Sequence, residues 1–325
     1  MLKRGFLLSS TFRCAEEKTT TTAAAADAAE EYDRISALPD EVLHHILSFM
    51  HTDTAVRTSI LSNRWRHLYK FNPVIDFAPL SFDPRRPVDY NYITQTLNLH
   101  RTLKIRKFCV VVRLGWTSLP DIKIWVDFAV ARAVRCLRIG LVPFTGSYLE
   151  LPDSLYTCNT QYIEYMFFSC VDFSPPMSGF MGFASLRTLS LFYSKLTDEV
   201  VMEIVSKCLL LEDLTIDKCV GLSTVKIVAP ELRLRRFVFR WSFLGEDRIE
   251  LDVDAPSLVS LKYYGSLSKI RLRKGPCLVE ARIFDRGVDE TNIGNARALM
   301  REISHVKLLG VNSWFPQFVA KQYYA

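Results

Sequence analysis

Apolar residues recur along this chain with two different spacings, and the change of spacing divides it. From Asp40 to Met50, Val42, Leu43, Ile46, Leu47 and Met50 fall at the spacing of one helical face. Pro39 suits the first turn of that helix, where its missing N–H costs nothing, and Asp40 and Glu41 place negative charge at the positive end of the helix dipole. The pattern ends near His51. Thr52 or Asp53 is then placed to cap a second helix running to about Leu61, with Val56 and Ile60 apolar, and Ser62 to cap a third short helix carrying Trp65, Leu68 and Tyr69. Three short helices in so few residues lie near the lower size limit for an independent core, so such a module gains stability by giving apolar surface to a partner.

Beyond Asp76 a nine-residue pattern takes over, apolar at its first, fourth and sixth places and often small or polar at its ninth. The instances read as Tyr162, Tyr165, Phe167, Cys170; Leu186, Leu189, Leu191, Ser194; Leu211, Leu214, Ile216, Cys219; and Leu234, Phe237, Phe239, Ser242. Leu258, Leu261, Tyr263, Ser266 follow, then Leu278, Ala281, Ile283, Arg286, then Ile303, Val306, Leu308, Val311, with weaker copies around Phe108 and Leu137. Fourth places from Tyr165 onward are separated by 24, 25, 23 and 24 residues, then by 20 and 25. That is the period of leucine-rich repeats, in which each unit supplies one short parallel strand and a return segment and is covered by stacking on its neighbours. Among the return segments, Thr197 is placed to cap a helix over Asp198 to Lys207 that buries Val201, Ile204 and Val205, and a second helix runs from Asp121 to Arg132. Val225–Ile227, Ile249–Leu251 and Ile270–Leu272 alternate like strands, each followed by a proline that cannot extend a ladder. The fold class expected is α/β: a three-helix module, then a solenoid with a parallel concave sheet.

Composition narrows the picture. With 49% hydrophobic and 23% charged residues the 325-residue chain has a globular balance, and its net charge of +6 is spread rather than massed into a phosphate-tracking block. Composition gives no sign of nucleic-acid binding, and no apolar run is long enough for a membrane helix. The eight cysteines are too far apart for a zinc knuckle, so neither metal nor cofactor is expected, and they read as reduced thiols of the cytosol or nucleus. His44 and His45, adjacent on a helix, diverge by about 100° and form no metal pair. Asp252 and Asp254 read as the wet side of a return strand. No phosphate loop, nucleophile elbow or zinc motif suggests an enzyme. Residues 1–32, basic at first and then TTTTAAAADAAEE, faintly resemble a transit peptide but read more simply as a disordered leader.

The segment DRISALPDEVLHHILSFMHTDTAVRTSILSNRWRHLYKF closely resembles the plant form of the F-box, in its LPDEVLHHILSF opening and VRTSILSNRWRHLY close. IKIWVDFAVARAVRCLRI, LLLEDLTIDKC and DAPSLVSLKYYG are similar to the repeats of plant F-box/leucine-rich-repeat proteins. The resemblance implies an F-box over 33–75, a linker over 76–102 and repeats over 103–325. It implies docking on a Skp-type adaptor, and through it on a cullin ubiquitin ligase, while the repeats capture a target protein for ubiquitination. A scaffold in a non-degradative complex stays open as the alternative. Many relatives carry a further C-terminal FBD domain; here the repeats run to the end of the sequence, so a short member without it is expected.

By position in the F-box motif, Leu38, Pro39, Ile46, Leu47, Val56, Leu61 and Trp65 are the adaptor-contact candidates, whereas Leu43, Ile60 and Leu68 are assigned to the module's own core. On the repeats, third, fifth and seventh places face outward, which puts Arg236, Arg240, Lys262, Tyr264, Arg282 and Lys307 in a basic and aromatic band beside Asp213 and Asp217. Such a band suits an acidic or phosphorylated target segment.

Overall fold

A computed structural model describes residues 35–77, 90–113, 122–142, 146–157, 160–176, 180–241, 249–265, 270–273, 275, 277–285 and 293–312. The expected leader lies outside the described residues, as do Ser242, Ser266 and Arg286 of the repeat pattern. The chain divides into two units, residues 1–38 and 39–325. In the first, Ile35–Leu38 form a turn closed by Leu38 N–H donating to the Ile35 carbonyl at 3.1 Å.

The second unit opens with α1 (Asp40–Leu47), α2 (Thr52–Arg57) and α3 (Trp65–Leu68). Pro39 sits at the N-cap rather than inside the first turn, and Leu43 and Leu47 form the buried face of α1. Helix α2 ends four residues before the expected Leu61 and tightens into a 3₁₀ turn over Thr58–Ile60. Its N-cap is His51, with no side-chain cap from Thr52 or Asp53, because Thr52 is buried and turned to another task described below. The N-cap of α3 is Arg64, not the expected Ser62, although the Ser62 hydroxyl, two residues earlier, accepts from Trp65 N–H at 3.4 Å.

Among the described residues ten strands form one parallel sheet: β1 (Val74–Phe77), β2 (Lys107–Arg113), β3 (Cys136–Val142), β5 (Tyr165–Ser169), β7 (Thr188–Phe192), β8 (Asp213–Asp217), β10 (Arg236–Arg240), β12 (Ser260–Gly265), β14 (Glu280–Asp285) and β15 (Leu308–Val311). The pair β4 (Leu149–Glu150) and β6 (Val171–Asp172) flanks it, and β9 (Thr224–Val228), β11 (Glu250–Asp254) and β13 (Ile270–Leu272) make a second parallel sheet from the alternating return segments. Helices α4 (Tyr90–Leu99), α5 (Lys123–Val130), α6 (Ser154–Thr157), α7 (Asp198–Lys207) and α8 (Ile293–Glu302) serve the other repeats. Helix α7 has its predicted bounds, with the Thr197 hydroxyl accepting from Val200 N–H at 3.4 Å. In the observed register every fourth-place side chain from Phe108 to Ala281, with Met166 in place of Tyr165, is at most 1% exposed, so the stacked apolar rows are the core that no single repeat closes alone.

Two registers differ from those expected. Strand β5 aligns Met166 with Leu189 and Phe168 with Leu191, so its inward residues are Ile163, Met166 and Phe168 rather than Tyr162, Tyr165 and Phe167, while Cys170 and Val171 at its end are both buried. A one-residue slip exchanges the faces of a strand, and in this segment both alternations are apolar. In the last repeat, Leu309 rather than Val306 aligns with Ala281, and Val311 with Ile283, which moves the pattern by three residues.

Of the stretch 76–102 expected as a linker, the described residues include the end of β1 and helix α4. Phe77 ends the first strand of the sheet, β1 pairs with β2 through Ile75 opposite Phe108, and α4 follows. Buried Asn72 joins the helices to this strand: its Nδ2 donates to the Leu47 carbonyl at 3.1 Å and its Oδ1 accepts from Val74 N–H at 3.0 Å. The Thr52 hydroxyl accepts from Asp76 N–H at 2.7 Å, and Asp76, itself buried, holds Lys107 of β2 at 2.6 Å. Arg101 N–H donates to the Lys70 carbonyl at 2.7 Å and Arg106 N–H to that of Pro73 at 2.8 Å. His100, 4% exposed and edge-on to Phe128, completes the junction. Burial, helped by the nearby Arg132 charge, lowers its pKa to about 4.

Asn72→Ala strands the buried Val74 N–H and takes one of two donors from the Leu47 carbonyl, which keeps Met50 N–H, and is expected to cost about 1–3 kcal/mol, read by denaturant unfolding. His100 generates a pH dependence. Between its ordinary pKa of 6.5 and the folded value of about 4, the unfolded chain takes up a proton that the folded one refuses. Its contribution is therefore intact above about pH 6.5 and is lost as the pH falls toward 4, by on the order of 3 kcal/mol. His100→Gln flattens thermal midpoint against pH in that window; an unchanged slope would contradict the assignment.

Candidate functional site

Two surfaces of the second unit carry chemistry beyond core packing. The first is on the helical module. Leu43, Leu47, Ala55, Trp65 and Leu68 close its interior at 0–6% exposure. This corrects the contact assignment for Leu47 and Trp65, which are 0% and 4% exposed and so out of a partner's reach. Pro39 is exposed and Ile46 and Val56 are half-buried, while Leu38 is half-buried in its own turn. Leu61, 65% exposed, is presented as expected. Ile60, expected inside, is 86% exposed, because the 3₁₀ turn changes the angle at which residues after Arg57 leave the helix. Val42, Phe49 and Phe71 add apolar exposure of 41%, 78% and 50% that the sequence reading missed. Phe49 stands edge-on to His45, with ring centres 4.8 Å apart, and Arg64 holds Asp40 at the start of α1 at 2.7 Å.

The second surface is the outward face of the main sheet. Parallel register places equal positions of neighbouring repeats side by side, about 4.8 Å apart. The third-place row runs Lys107, Cys136, Tyr165, Thr188, Asp213, Arg236, Ser260, Glu280. In the seventh-place row Phe192, Asp217, Arg240, Tyr264 and Phe284 are consecutive. Charges in and between the rows of this face neutralise one another. Arg236 pairs with Asp213, Arg240 with Asp217 at 3.1 Å, and Arg282 with Glu280 at 2.6 Å. Arg240 also lies 4.4 Å over the Tyr264 ring, which stacks on Phe284 at 4.8 Å and 7°.

The expected basic band is therefore corrected at four of its six members. Arg236, Arg240 and Arg282 are held by carboxylates of the sheet itself. Lys307, by the observed register, stands one place before β15, in the second-place row at the strand entrances, where Arg135 pairs with Glu164 and Arg187 with Glu212. Lys262 and Tyr264 keep their expected places on the face. Asp217 is only 6% exposed; burial raises its pKa, and the Arg240 and Lys218 charges pull it back down.

Among the described residues no cluster of three or more His, Cys, Asp or Glu side chains could hold a metal ion, and no helix is long and apolar enough to cross a membrane. Asp252 pairs with Arg273 at 2.8 Å instead of facing Asp254 across an ion. Burial pushes the Cys109 and Cys219 thiols up to about 12 and that of Cys208 up to about 11, so all three stay protonated. Cys219 keeps its ninth place and donates to the Leu191 carbonyl, whereas Cys170 falls at the eighth place in the observed register.

Comparison with known proteins bears on both surfaces. The family model for the F-box domain matches residues 35–68. The model described as "FBD-associated F-box protein At5g56370, LRR repeats" matches residues 122–317, more than half of the chain. This chain belongs to the plant F-box/leucine-rich-repeat family. It is 36% identical over 267 residues to the Arabidopsis thaliana "Putative FBD-associated F-box protein At5g56440", covering 79% of this chain and 60% of that relative. It is 29% identical over 287 residues to the F-box/FBD/LRR-repeat protein At5g56420 of the same plant, covering 86% of this chain and 65% of that one. The chain thus spans less than two thirds of the length of either. Within the family frame, the three helices are the F-box and the ten-stranded sheet is the repeat face.

The Asp217–Arg240 pair is unequal, since the acid is buried and the guanidinium is 39% exposed. Arg240→Gln leaves the acid with only the nearby Lys218 charge and is expected to cost about 1–2 kcal/mol, discounted for that exposure. Adding Asp217→Asn recovers most of the loss, and a double-mutant cycle that shows no coupling would contradict the pairing.

Proposed function

We propose that this chain is the target-recognition subunit of a Skp–cullin–F-box ubiquitin ligase, docking on a Skp-type adaptor through its F-box and holding a target protein on its repeats. The observation that carries this reading is the pair of exposed apolar side chains, Ile60 and Leu61, inside a segment that matches the F-box. A module whose interior is already closed by Leu43, Leu47 and Trp65 has no internal use for them, and burying each against a partner contributes about 1.5–3 kcal/mol. Pro39, Ile46 and Val56 join them as proposed contacts of the second unit, and Leu38 is a separate proposed contact of the first.

The mechanism is positional. A subunit that makes no bonds accelerates ubiquitin transfer by holding a target lysine near the charged ubiquitin, which raises effective concentration. That effect needs a fixed distance between dock and target face. The Asn72, Thr52 and Asp76 hydrogen bonds supply one by joining the F-box helices to the first strand of the sheet.

Ile60→Ser with Leu61→Ser changes only exposed side chains. Association of the full chain with a purified Skp-type adaptor is expected to weaken at least about tenfold, with the thermal midpoint unchanged. Trp65→Ala, by contrast, lowers the midpoint, because it empties the module's core. Wild-type chain that ignores the adaptor in a direct binding assay would sink the reading.

A further inference from the structure

The fifth-place row, the middle of the sheet face, differs from the rows beside it. From β1 to β14 it runs Asp76, Cys109, Arg138, Phe167, Ser190, Thr215, Val238, Lys262, Arg282, and its one carboxylate, Asp76 on the first strand, is taken by Lys107. Arg282 is taken by Glu280. Arg138 has no acidic partner among the described residues: its guanidinium lies 4.5 Å from the Phe167 ring centre, and its Nε is buried without a hydrogen-bond partner. Lys262 likewise makes no ion pair among the described residues; Glu280 feels its charge but is held by Arg282 and by Ser260 at 2.8 Å. Each cation elsewhere in the third-, fifth- and seventh-place rows whose side chain is described is neutralised: Lys107 by Asp76, Arg236 by Asp213, Arg240 by Asp217, Arg282 by Glu280.

Two uncompensated cations therefore stand at the ends of a neutral run, Phe167, Ser190, Thr215 and Val238. They are five strand spacings apart, roughly 24 Å, which an extended peptide covers in about seven residues. The middle side chains are small or apolar and leave room for a chain lying across the strands, while the ion-paired rows flank it on both sides. Each end offers a single unneutralised cation, which matches a carboxylate monoanion better than a phosphate dianion. Desolvated Nε and stacked guanidinium pre-set Arg138 for such a partner.

We propose that the middle row binds an extended target segment carrying two carboxylate side chains about seven residues apart, one at Arg138 and the other at Lys262, with small or apolar residues between them. The proposal rests on the sheet face being the target-capturing surface and names the chemistry of what it captures.

The test uses the full chain and fluorescent peptides of about twelve Ser, Thr and Val residues bearing two Glu about seven residues apart. Binding is expected to be about tenfold tighter than for peptides with one Glu or with two Glu about three residues apart, and to weaken with salt. Arg138→Gln or Lys262→Gln should reduce the matched peptide to the level of the single-Glu peptide, with Arg138→Lys restoring part of the affinity. The thermal midpoint and adaptor association should be unchanged in these variants, which separates failure here from failure of the ligase reading. Indifference to spacing, binding that survives both substitutions, or no saturable binding of any peptide would overturn the proposal. Phosphoserine peptides that gain about tenfold or more would assign the ends to phosphate, and tighter capture of a single-stranded oligonucleotide through the same two residues would assign the row to nucleic acid; either result overturns it.

Discussion

The hydrogen bonds of Asn72 are the constraint on which the rest of the structure depends. One buried amide spans the Leu47 carbonyl at the end of the first helix and the Val74 amide at the start of the sheet. Buried backbone groups must be paired, so the side chain that pairs both also locks two elements together. Thr52 and Asp76 repeat the device a few residues away and pass it on to Lys107 of the second strand. A helical module too small to be robust alone thereby becomes the first layer of the solenoid. A positional function requires that union, because an effective concentration set across a loose joint falls with every conformation the joint can adopt.

Parallel stacking has a second consequence. Register repeats side-chain places at one strand spacing, so any two charges in neighbouring positions of a row are close enough to be strongly coupled. Rows that alternate in sign are self-satisfying, as Asp213 with Arg236 and Asp217 with Arg240 show. A surface of this kind holds many charged side chains and yet offers little net field. Arg138 over Phe167 and Lys262 depart from that neutrality and so stand apart from the more conspicuous arginines. The aromatic stack of Tyr264 on Phe284 belongs to the seventh-place row, where it supports Arg240 in its pair.

The sequence by itself determined the class of each part. Helical spacing from Asp40, the recurring nine-residue pattern, the Thr197 cap and the alternating return strands are local signals, set by geometry within a few residues, and helix α7 and the three-stranded sheet match them closely. Only the tertiary structure decided register, exposure and pairing. At Tyr162–Val171 both alternations are apolar, so the choice of inward face fell to the neighbouring strands, and in the last repeat a longer return segment moved Lys307 off the face. Ile60 exchanged inside for outside because a 3₁₀ turn, not an α-helical one, follows Arg57. The neutralisation of Arg236 by Asp213 and the Asn72 junction join residues more than twenty positions apart, and no local pattern records which distant partner a charge or an amide will meet.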